Sequence, residues 1–400
     1  MNLDQLRIGI GDYRSCGAAE TFQKVAAHLD RLGITRVARQ TDLDRIGIPV
    51  WCAYTPNAKA IVIAQGKGVD DDAARTSAVM EAIERSVASD PACDRLTESI
   101  TSMHMRGQSL DTLDSLLAAR ADLIAPHEPV TWANSRDLLK QDHLWVPFEA
   151  VRLDRSLVSP RYWQSSDGLA SGNTPEEAVL HGLLERVERD ALTLWQVTPP
   201  KKRFTQRVDT VRAGGATLRE LLDKIEAAGL VVALFDITSD LSIPCMVALI
   251  GPRRRHASRA LRHVEITLGA GASLLPAAAA IRAVTEAVQS RMTFIAGARD
   301  DLVPDTFSRA IEPAILEAFD QPFSRQLGGT QPPHPQTTGE ALTVILDRLR
   351  AGGISQIYAV DLAPPWLPVF VAKVLVPQLE NPDGDRRQRF GVRAISRALQ

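Results

Sequence analysis

The stretch Ser77-Ala-Val-Met-Glu81-Ala-Ile-Glu84-Arg85 decides how the fold of this sequence is interpreted. At about 100° per residue in an α-helix, its polar residues fall within an arc of about 100°, namely Ser77, Glu81, Glu84 and Arg85. The opposite side carries the apolar residues Val79, Met80, Ile83 and Val87. The pattern predicts a helix with one packed face and one polar face, on which two carboxylates lie a turn apart.

A second stretch, Glu185-Arg-Val-Glu188-Arg189, repeats this Glu-x-x-Glu-Arg motif further along the chain. In its predicted helix the polar residues lie within an arc of about 80°, namely Glu177, His181, Glu185 and Glu188. The buried stripe is predicted to consist of Val179, Leu180, Leu183, Val187 and Leu194. Two such helices facing each other could hold divalent metal ions.

A simpler interpretation exists for either helix alone. Glutamate and arginine are good helix formers, and a charged helix face is most often a solvated one. In neither helix, however, does the acidic stripe have enough cations four residues away to neutralise it. Clustered carboxylates that face inward repel one another unless a cation lies between them. The repetition of the motif therefore favours a metal site.

The composition is that of a folded protein. The chain has 400 residues, of which 45% are hydrophobic and 24% charged, and its formal net charge is -2. This charge gives no reason to expect a nucleic acid or an anionic membrane as partner. The N-terminus lacks a signal-peptide pattern and no apolar run could span a bilayer, so we expect a cytoplasmic protein. The four cysteines show no metal or disulfide spacing: Cys16, Cys52, Cys93 and Cys245.

Periodicity and turn residues predict the remaining elements. Further helices are expected at residues 20–32, 109–120, 276–298 and 340–351. Strands are expected at residues 36–39, 49–54, 60–64, 129–132, 144–148, 230–235, 244–250, 356–360 and 369–376. Residues 305–338 are rich in proline and polar residues and are a candidate lid. Because no long linker interrupts these elements, we expect one large α+β unit.

Two glycine-containing segments precede the acidic helices. In Gly66-Lys67-Gly68 the lysine could meet a phosphate at the helix N-terminus, although such a turn is more often merely exposed. A predicted loop over residues 165–173 precedes the second helix, with Thr174 as N-cap and Glu177 at N3, which completes a capping box. Glu177 thus has a structural role, and the backbone N–H groups of this loop could also approach a phosphate or ribose.

The third polar-faced helix, over residues 276–298, brings Arg282, Glu286, Gln289 and Thr293 onto one face. With these residues in hand, the chain resembles the YcaO family from about residue 60 to its C-terminus. Three ordered signatures carry the resemblance. The first is Ser77-x-x-x-Glu81-x-x-Glu84-Arg85. The second joins residues 166–173 to Glu177 and Glu185-x-x-Glu188-Arg189. The third is Arg282-x-x-x-Glu286, which continues to Gln289 and Arg291.

The resemblance implies a YcaO fold, in which mixed β-sheets and packed helices carry a composite site for ATP and Mg²⁺. Residues 1–60 would form a lead-in of one helix and strands, and residues 61–400 the YcaO catalytic domain. It also implies ATP-dependent activation of a peptide backbone amide through a phosphorylated hemiorthoamide-type intermediate, from which phosphate leaves with the former carbonyl oxygen. The carboxylates fit this chemistry because Mg²⁺ prefers oxygen ligands and neutralises phosphate charge.

The resemblance also implies roles for individual residues. Magnesium would be bound by Glu81, Glu84, Glu185 and Glu188. The predicted catalytic residues are Glu84, Glu188 and Arg189. The residues expected to bind ATP are Lys67, Ser77, Arg85, Ser166, Asn173, Glu177, Arg282 and Glu286. His181 lies on the polar face of its helix, where it would only hydrogen-bond a neighbour.

The nucleophile decides the product of such an enzyme. A neighbouring Cys, Ser or Thr side chain gives an azoline, whereas an external sulfur donor gives a thioamide. Azoline-forming members of the family commonly end in Pro-x-Pro-x-Pro, whereas this sequence ends Ser396-Arg-Ala-Leu-Gln400. The pattern looks most like the stand-alone members that work beside a TfuA-like protein, which is implicated in sulfur delivery.

We therefore expect thioamidation of a ribosomally made peptide or protein, with a TfuA-like protein as the separate partner. Two alternatives stay open. One is azoline cyclodehydration with a leader-binding partner, and the other is an ATP-binding accessory factor for a different modifying enzyme. The resemblance also implies a homodimer, and it gives no reason to expect nucleic acid or membrane as a partner.

Overall fold

The computed structural model describes residues 13–210, 215–253, 261–297, 299–327, 335–381, 386 and 389–400. Its helices are α1 (Ala18–Ala26), α2 (Asp71–Ser89), α3 (Ile100–Met105), α4 (Phe148–Val151), α5 (Pro175–Val197), α6 (Pro200–Arg203), α7 (Ala216–Ala227), α8 (Pro276–Ala296), α9 (Asp305–Ser308), α10 (Pro313–Ala318), α11 (Thr338–Ala351) and α12 (Val392–Ala398). Its strands are β1 (Arg36–Arg39), β2 (Val50–Tyr54), β3 (Ile63–Lys67), β4 (Arg95–Glu98), β5 (Val130–Asp137), β6 (Asp142–Pro147), β7 (Leu169–Gly172), β8 (Leu230–Asp236), β9 (Cys245–Pro252), β10 (Thr267–Ala272), β11 (Tyr358–Asp361) and β12 (Phe370–Leu375).

The described strands form three antiparallel sheets. Two of them have three strands each, in the orders β1-β2-β3 and β10-β9-β8. The third runs β4-β5-β11-β12-β7, with β6 paired to β5. One long helix packs on each sheet: α2 on β2 and β3, α8 on β9 and β10, and α5 on β7 and β12. The predicted α+β class is confirmed.

Each of these helices lies close to its sheet because a glycine faces it. A Cβ atom at Gly66 of β3 would overlap the backbone of α2, and one at Gly172 of β7 would overlap the start of α5. On β10, a Cβ at Gly269 would overlap the backbone of α8. Only glycine allows backbones to approach this closely within a strand. In all three strand–helix pairs, a glycine in the strand therefore allows the helix to approach closely.

The buried hydrophobic side chains of the described residues fall into three clusters, and each cluster contains the apolar stripe of one long helix. The stripe of α2 is buried as predicted, with Val79 and Ile83 at 0% exposure. That of α5 is also buried, with Leu180 and Leu183 at 0%. Removing an aliphatic side chain of this size from water stabilises the fold by about 1.5–3 kcal/mol. These two stripes are confirmed by the structure.

The starts of the helices follow their capping residues. The Asp70 side chain accepts a hydrogen bond from Ala73 N at 2.8 Å at the start of α2. At the start of α5, Thr174 Oγ1 accepts one from Glu177 N at 3.2 Å, as predicted. The predicted capping box does not close, because the Glu177 carboxylate accepts from Asn173 N at 2.8 Å instead.

The prediction of a helix at residues 109–120 is wrong. Only a short 3₁₀ turn, Asp114–Leu116, occurs there, and Leu113 before it has a positive φ of 53°. Leu113 and Leu117 are both buried, although they cannot share a helix face in this conformation. Tertiary packing of this segment against its neighbours overrides its helical periodicity. The periodicity was therefore insufficient evidence for a helix.

Other boundaries also differ from the predictions. The strand expected at residues 60–64 begins later and is β3, and the loop expected at residues 165–173 contains the strand β7. No strand was predicted for β4 or β10, and no helix for α7. The candidate lid contains the short helices α9 and α10, while its residues 328–334 lie outside the described residues.

The predicted division between residues 60 and 61 stays a prediction. Strand β2 before it pairs with β3 after it, and residues 1–12 of the predicted lead-in lie outside the described residues. Among the helices that the structure describes, none is both long and apolar enough to cross a membrane.

Candidate active site

The polar faces of α2, α5 and α8 meet between the three sheets. Helix α2 contacts β7, α5 contacts β10, and α8 contacts β3, so each helix reaches the strand that supports another helix. Five glutamates from these faces interact electrostatically in succession, and we call them the carboxylate row: Glu81, Glu84, Glu185, Glu188 and Glu286. The structure thus brings all four predicted magnesium ligands into one row.

Glu81 at one end of the row is held by β3 and by its own helix. Its Oε2 accepts a hydrogen bond from Gln65 N at 3.0 Å, and Arg85 donates to its Oε1. The buried Arg85 also donates to Ile63 O at 2.6 Å. Arg85, which was predicted to bind ATP, therefore fixes the orientation of Glu81 against β3.

Glu84 is the most strongly perturbed carboxylate of the row. Its pKa is raised to about 8, mainly by burial and also by the negative charges of Glu81 and Glu185, while the hydrogen bond from Ser171 and the charge of Arg85 oppose the rise. Ser171 Oγ donates to Glu84 Oε1 at 2.6 Å. Such a pKa means that the charged form is disfavoured until a cation arrives.

Glu185 lies beside Glu84 and is oriented by the backbone after Asp167. Gly168 N donates to its Oε2 at 3.1 Å, and Arg189 lies 3.8 Å from its Oε1. Burial raises its pKa to about 7, an effect that Arg189 opposes and that Asp167 and Glu188 reinforce. A bound cation would therefore stabilise the charged form of this carboxylate as well.

At the other end of the row, Glu188 and Glu286 share a lysine. Ala272 N donates to Glu188 Oε2 at 3.1 Å, and Lys67 donates to Glu286. Burial raises the pKa of Glu188 to about 7, and the charge of Glu286 adds to this effect. The pKa of Glu286 is lowered despite burial, because Lys67 lies against it. Lys67 from β3 is therefore within the site, as predicted.

Two arginines add positive charge beside the row. Arg189 lies 4.0 Å from Asp167 and close to Glu185. Burial alone would lower its pKa, but the surrounding carboxylates raise it, so this guanidinium stays charged. Arg282 on α8 lowers the pKa of Glu188 through its charge. Phosphate oxygens carry negative charge, so these two arginines are suited to bind them beside the carboxylate row.

The other predicted ATP-binding residues occupy varied environments. Ser77 is exposed on α2, and Ser166 is partly exposed in the turn before β7. Glu177 is completely buried, where its carboxylate accepts hydrogen bonds from Ser15 N and Asn173 N. The Asn173 side chain also donates to Thr21 at 3.0 Å. In this structure Glu177 and Asn173 anchor the segment before α1 to α5, and their role toward ATP stays a prediction.

Two buried charges beside the row were missed from the sequence. Asp167 is 8% exposed and Lys373 4% exposed. Lys373 Nζ donates to Ser165 O at 2.6 Å and to Asp167 O at 2.7 Å, and burial lowers its pKa to about 8. A lysine in the apolar run of β12 was the signal that could have revealed it, since buried lysines are rare.

The donor set fits magnesium held together with phosphates. Within the described residues, no three His, Cys, Asp or Glu side chains converge into a cage that could hold a metal alone. Mg²⁺ usually takes one or two carboxylates and completes its shell with water and substrate phosphates. A row of spaced carboxylates with raised pKa values, flanked by Lys67, Arg189 and Arg282, meets that requirement.

Comparison with known proteins agrees with this assignment. Residues 65–380 match the family model described as YcaO cyclodehydratase, ATP- and Mg²⁺-binding. The chain belongs to the YcaO family. The predicted resemblance is confirmed, and the chain is an ATP- and Mg²⁺-dependent enzyme of the YcaO type.

Two relatives match nearly the whole chain. A protein of Rhizobium leguminosarum bv. trifolii, described as an uncharacterized protein in the tfuA 3′ region, is 38% identical over 402 residues, covering 99% of this chain and 96% of the relative. An uncharacterized protein of Methanothermobacter thermautotrophicus is 33% identical over 375 residues, covering 90% of this chain and 94% of the relative.

Two solved structures share the YcaO fold. A heterocyclase in complex with substrate and cofactor has a TM-score of 0.75 at 20% identity, covering 94% of this chain. This chain spans only 54% of the length of that heterocyclase. YcaO from Methanopyrus kandleri, bound with AMPPCP and Mg²⁺, has a TM-score of 0.70 at 22% identity, covering 92% of each chain.

Proposed function

We propose that this enzyme activates a backbone amide of a ribosomally made peptide or protein with ATP and converts it to a thioamide. The observation that carries the proposal is the carboxylate row, in which three of five glutamates have pKa values raised to about 7 or 8 beside a set of cations. Such a site favours a ligand with both metal cations and phosphate oxygens.

The chain's own residues would orient and balance that ligand. Glu81, Glu84, Glu185 and Glu188 would hold Mg²⁺, and Glu84 would release a proton as it does so. Lys67 and Arg282 would lie along the phosphates. Bound Mg²⁺–ATP supplies an electrophilic phosphoryl group whose charge is already partly neutralised. Arg189, kept charged by Asp167 and Glu185, would stabilise negative charge on the phosphoryl oxygens during transfer.

The overall exchange is balanced by ATP and one sulfur donor. A sulfur nucleophile at the oxidation level of sulfide adds to the amide carbonyl, the carbonyl oxygen takes up the phosphoryl group, and phosphate leaves with that oxygen. The carbon–sulfur double bond replaces the carbon–oxygen double bond, the proton of the sulfur nucleophile leaves with the phosphate, and the products are the thioamide, ADP and phosphate. No external oxidant or reductant is required, since sulfide replaces oxide at the same oxidation state.

A TfuA-like protein is the proposed sulfur-delivery partner. The support is the relative from Rhizobium leguminosarum, which is 38% identical over 99% of this chain and is described as lying in the tfuA 3′ region. The predicted homodimer rests on the family resemblance alone, and light scattering of the purified protein would test it.

Azoline formation is the second candidate. The matching family model is described as a cyclodehydratase, and a heterocyclase with substrate shares the fold. In that reaction a Cys, Ser or Thr side chain of the substrate replaces the external sulfur donor, and a leader-binding partner would present the peptide.

One experiment separates these candidates by mass. The enzyme is expressed in its native host as the wild type, as Glu84→Gln and as Glu176→Gln, and the peptides of the three strains are compared by tandem mass spectrometry. Glu176 is an exposed glutamate in the first turn of α5, so it is the matched control. Thioamidation replaces one oxygen by sulfur, whereas azoline formation removes water.

The proposal expects peptides with the oxygen-to-sulfur mass gain in the wild type and in Glu176→Gln, but not in Glu84→Gln. Deleting the gene of the TfuA-like protein should abolish the same mass gain. Loss of water instead of the gain would establish the azoline alternative. Full ATP turnover without either mass change, with the TfuA-like protein present, would favour the accessory-factor interpretation.

A further inference from the structure

A second charged site lies beside the carboxylate row, around the buried Asp167. It is a cavity of about 30 Å³, and its polar lining comes from the segment before β7, from α5, from β12 and from Arg386. The lining residues that matter here are Trp163, Ser165, Asp167, Arg186, Lys373 and Arg386. Three of these carry positive charge and one carries negative charge, so cations are in excess.

All four charged side chains of the cavity are almost fully buried. Arg186 is 3% exposed, Arg386 8% and Asp167 10% as side chains, and Lys373 is 4% exposed. Burying a charge is costly unless it is paired and hydrogen-bonded. Each cation of the cavity therefore needs an acceptor.

Arg186 and Lys373 have such acceptors. Arg186 lies 3.3 Å from Asp167 Oδ2 and donates to Leu379 O at 3.1 Å and to Glu380 O at 3.3 Å. Lys373 donates to the two carbonyl oxygens of Ser165 and Asp167, which leaves one of its three N–H groups.

Arg386 differs from both. Its nearest carboxylate oxygen, Asp167 Oδ2, is 3.9 Å away, which is beyond hydrogen-bond distance. Its Nε is buried without a hydrogen-bond partner, and its guanidinium lies 4.8 Å from the ring centre of Trp163. Among the described residues, no side-chain hydrogen bond of Arg386 is formed, although a guanidinium has five N–H donors.

The surrounding carboxylates do not supply the missing hydrogen-bond acceptors for Arg386. Asp167 is shared with Arg186 and Arg189. Glu380 acts on Arg386 through its charge, but its oxygens accept from Gly391 N at 2.8 Å and Ala394 N at 3.0 Å at the start of α12. Burial lowers the pKa of Arg386 to about 10, and the charge of Arg186 adds to this effect.

We propose that this cavity binds one monoatomic, monovalent anion, such as chloride, which accepts the free donors of Arg386 and thereby holds the loop before β7. A volume of about 30 Å³ exceeds the space that one water-sized sphere requires, so the cavity has room for a halide ion. An anion there offsets the excess positive charge of the lining.

The loop connects this site to the carboxylate row. Lys373 holds the carbonyls of Ser165 and Asp167, and the next residue, Gly168, donates its N–H to Glu185. An anion that completes the charge balance around Lys373 and Arg386 therefore fixes the donor that orients Glu185. Arg386 is a positioning residue in this scheme, and filling the cavity lowers the Mg²⁺ concentration required for ATP binding.

Bromide is the probe for the first test. Crystals of the full chain are soaked in sodium bromide, and anomalous diffraction is measured at the bromine absorption edge. In solution, thermal unfolding is followed in sodium bromide and in sodium gluconate at equal ionic strength. We expect an anomalous peak at hydrogen-bond distance from Arg386 Nε, and a saturable rise in Tm of about 2 °C with bromide only.

Arg386→Gln removes the charge and should lose both the peak and the bromide-specific rise in Tm. Arg350→Gln is the control, because Arg350 is 56% exposed on α11 and pairs with Asp347 on the surface. Absence of a peak in the wild type, or an equal rise in Tm in Arg386→Gln, would overturn the proposal. If Arg386→Gln does not fold, the wild-type crystals and titrations decide by themselves.

The positioning role has its own readout. In the wild type and Arg350→Gln, bromide should lower the Mg²⁺ concentration for half-maximal ATP binding about threefold relative to gluconate. Arg386→Gln should show no such dependence on the anion. An anomalous peak without any change in this Mg²⁺ concentration would reject the positioning role and identify an adventitious ion only.

Discussion

Helix α5 carries two charged regions that differ in how completely their charges are paired. Near its C-terminal half, Asp190 forms two hydrogen bonds with Arg393, at 2.9 and 2.8 Å, and accepts a third from Glu380 N at 3.0 Å. On another face, Glu185 and Glu188 belong to the carboxylate row, where burial and like charges raise their pKa values to about 7.

The first region therefore serves the stability of the fold, and the second serves ligand binding. The completely buried Asp190 has every oxygen occupied by the protein, so its contacts attach α12 to α5. In the carboxylate row, Glu84, Glu185 and Glu188 have raised pKa values, so their charged forms are stabilised when a cation binds. We expect substitutions in the first region to affect the free energy of unfolding and those in the second to affect ATP turnover.

Asp190→Ala should produce the largest effect. It leaves Arg393 paired only with the exposed Asp240 and leaves Glu380 N without its acceptor. Breaking a buried pair costs about 3–5 kcal/mol, and we expect a loss at the lower end because Asp240 remains. Urea denaturation would measure the loss. The comparison fails if Asp190→Ala is as stable as the wild type. Asp347→Ala serves as the control, because it breaks only an exposed pair on α11.

Glu84→Gln should have the next largest effect, on turnover rather than on folding. It removes one magnesium-binding charge at unchanged size, so ATP turnover should fall by about 100-fold or more, which corresponds to about 2.7 kcal/mol. The free energy of unfolding without ligands should stay nearly unchanged, because the Glu84 carboxyl, with its pKa raised to about 8, is mostly uncharged near pH 7. Wild-type turnover by this variant would remove Glu84 from the site.

The stability of the ligand-free protein should fall as pH rises. The folded-state pKa values of Glu84, Glu185 and Glu188 are raised to about 7 or 8, so the folded state binds more protons than the unfolded state between about pH 4.5 and 8. Mg²⁺ and ATP favour the charged carboxylates, so the rise in Tm that they produce together should be larger at pH 8 than at pH 5.5.

Thermal unfolding at both pH values, with ATP alone, Mg²⁺ alone and both, would check this pH dependence. At about 100 times its dissociation constant, a ligand stabilises the folded state by about 2.7 kcal/mol. A ligand-induced rise in Tm that is independent of pH would contradict the assignment of these carboxylates to the cation site.

Ser171→Ala should have the smallest effect. It removes the hydrogen bond that Ser171 donates to Glu84 at 2.6 Å. Because this hydrogen bond lowers the pKa of the Glu84 carboxyl, its loss should raise that pKa. The Mg²⁺ concentration for half-maximal turnover should rise about tenfold, and the acidic limb of the pH–rate profile should move to higher pH. Ser396→Ala on the exposed surface of α12 is the matched comparison.

Much of the site could be predicted because its residues lie on long helices. In α2 and α5 the apolar and polar residues alternate with the helical period over several turns, so the sequence indicates which side each glutamate occupies. The predicted meeting of Glu84 and Glu188 followed from two such faces and the family resemblance, whereas Lys67 was assigned from its glycine-flanked turn and from the resemblance. Their hydrogen bonds to Ser171 and Ala272 could not be predicted, because they join segments distant in sequence.

The missed elements have weak local signals. Strand β10 consists largely of glycine and alanine, which have low strand propensity, and its conformation depends on contact with α8. The helix wrongly predicted at residues 109–120 failed for the opposite reason, since burial of Leu113 and Leu117 by tertiary contacts overrode a helical pattern. Asp167 was overlooked because only the folded chain places three arginines around it.

The glycines at the three strand–helix contacts have a consequence for how this enzyme tolerates change. Gly66, Gly172 and Gly269 have no side chain that could bind a ligand, yet each sets the depth at which one helix presents its glutamates. A single methyl group added at any of them would displace a whole helix relative to the other two. The substitutions most harmful to turnover should therefore include the chemically mildest ones, at positions that carry no functional side chain.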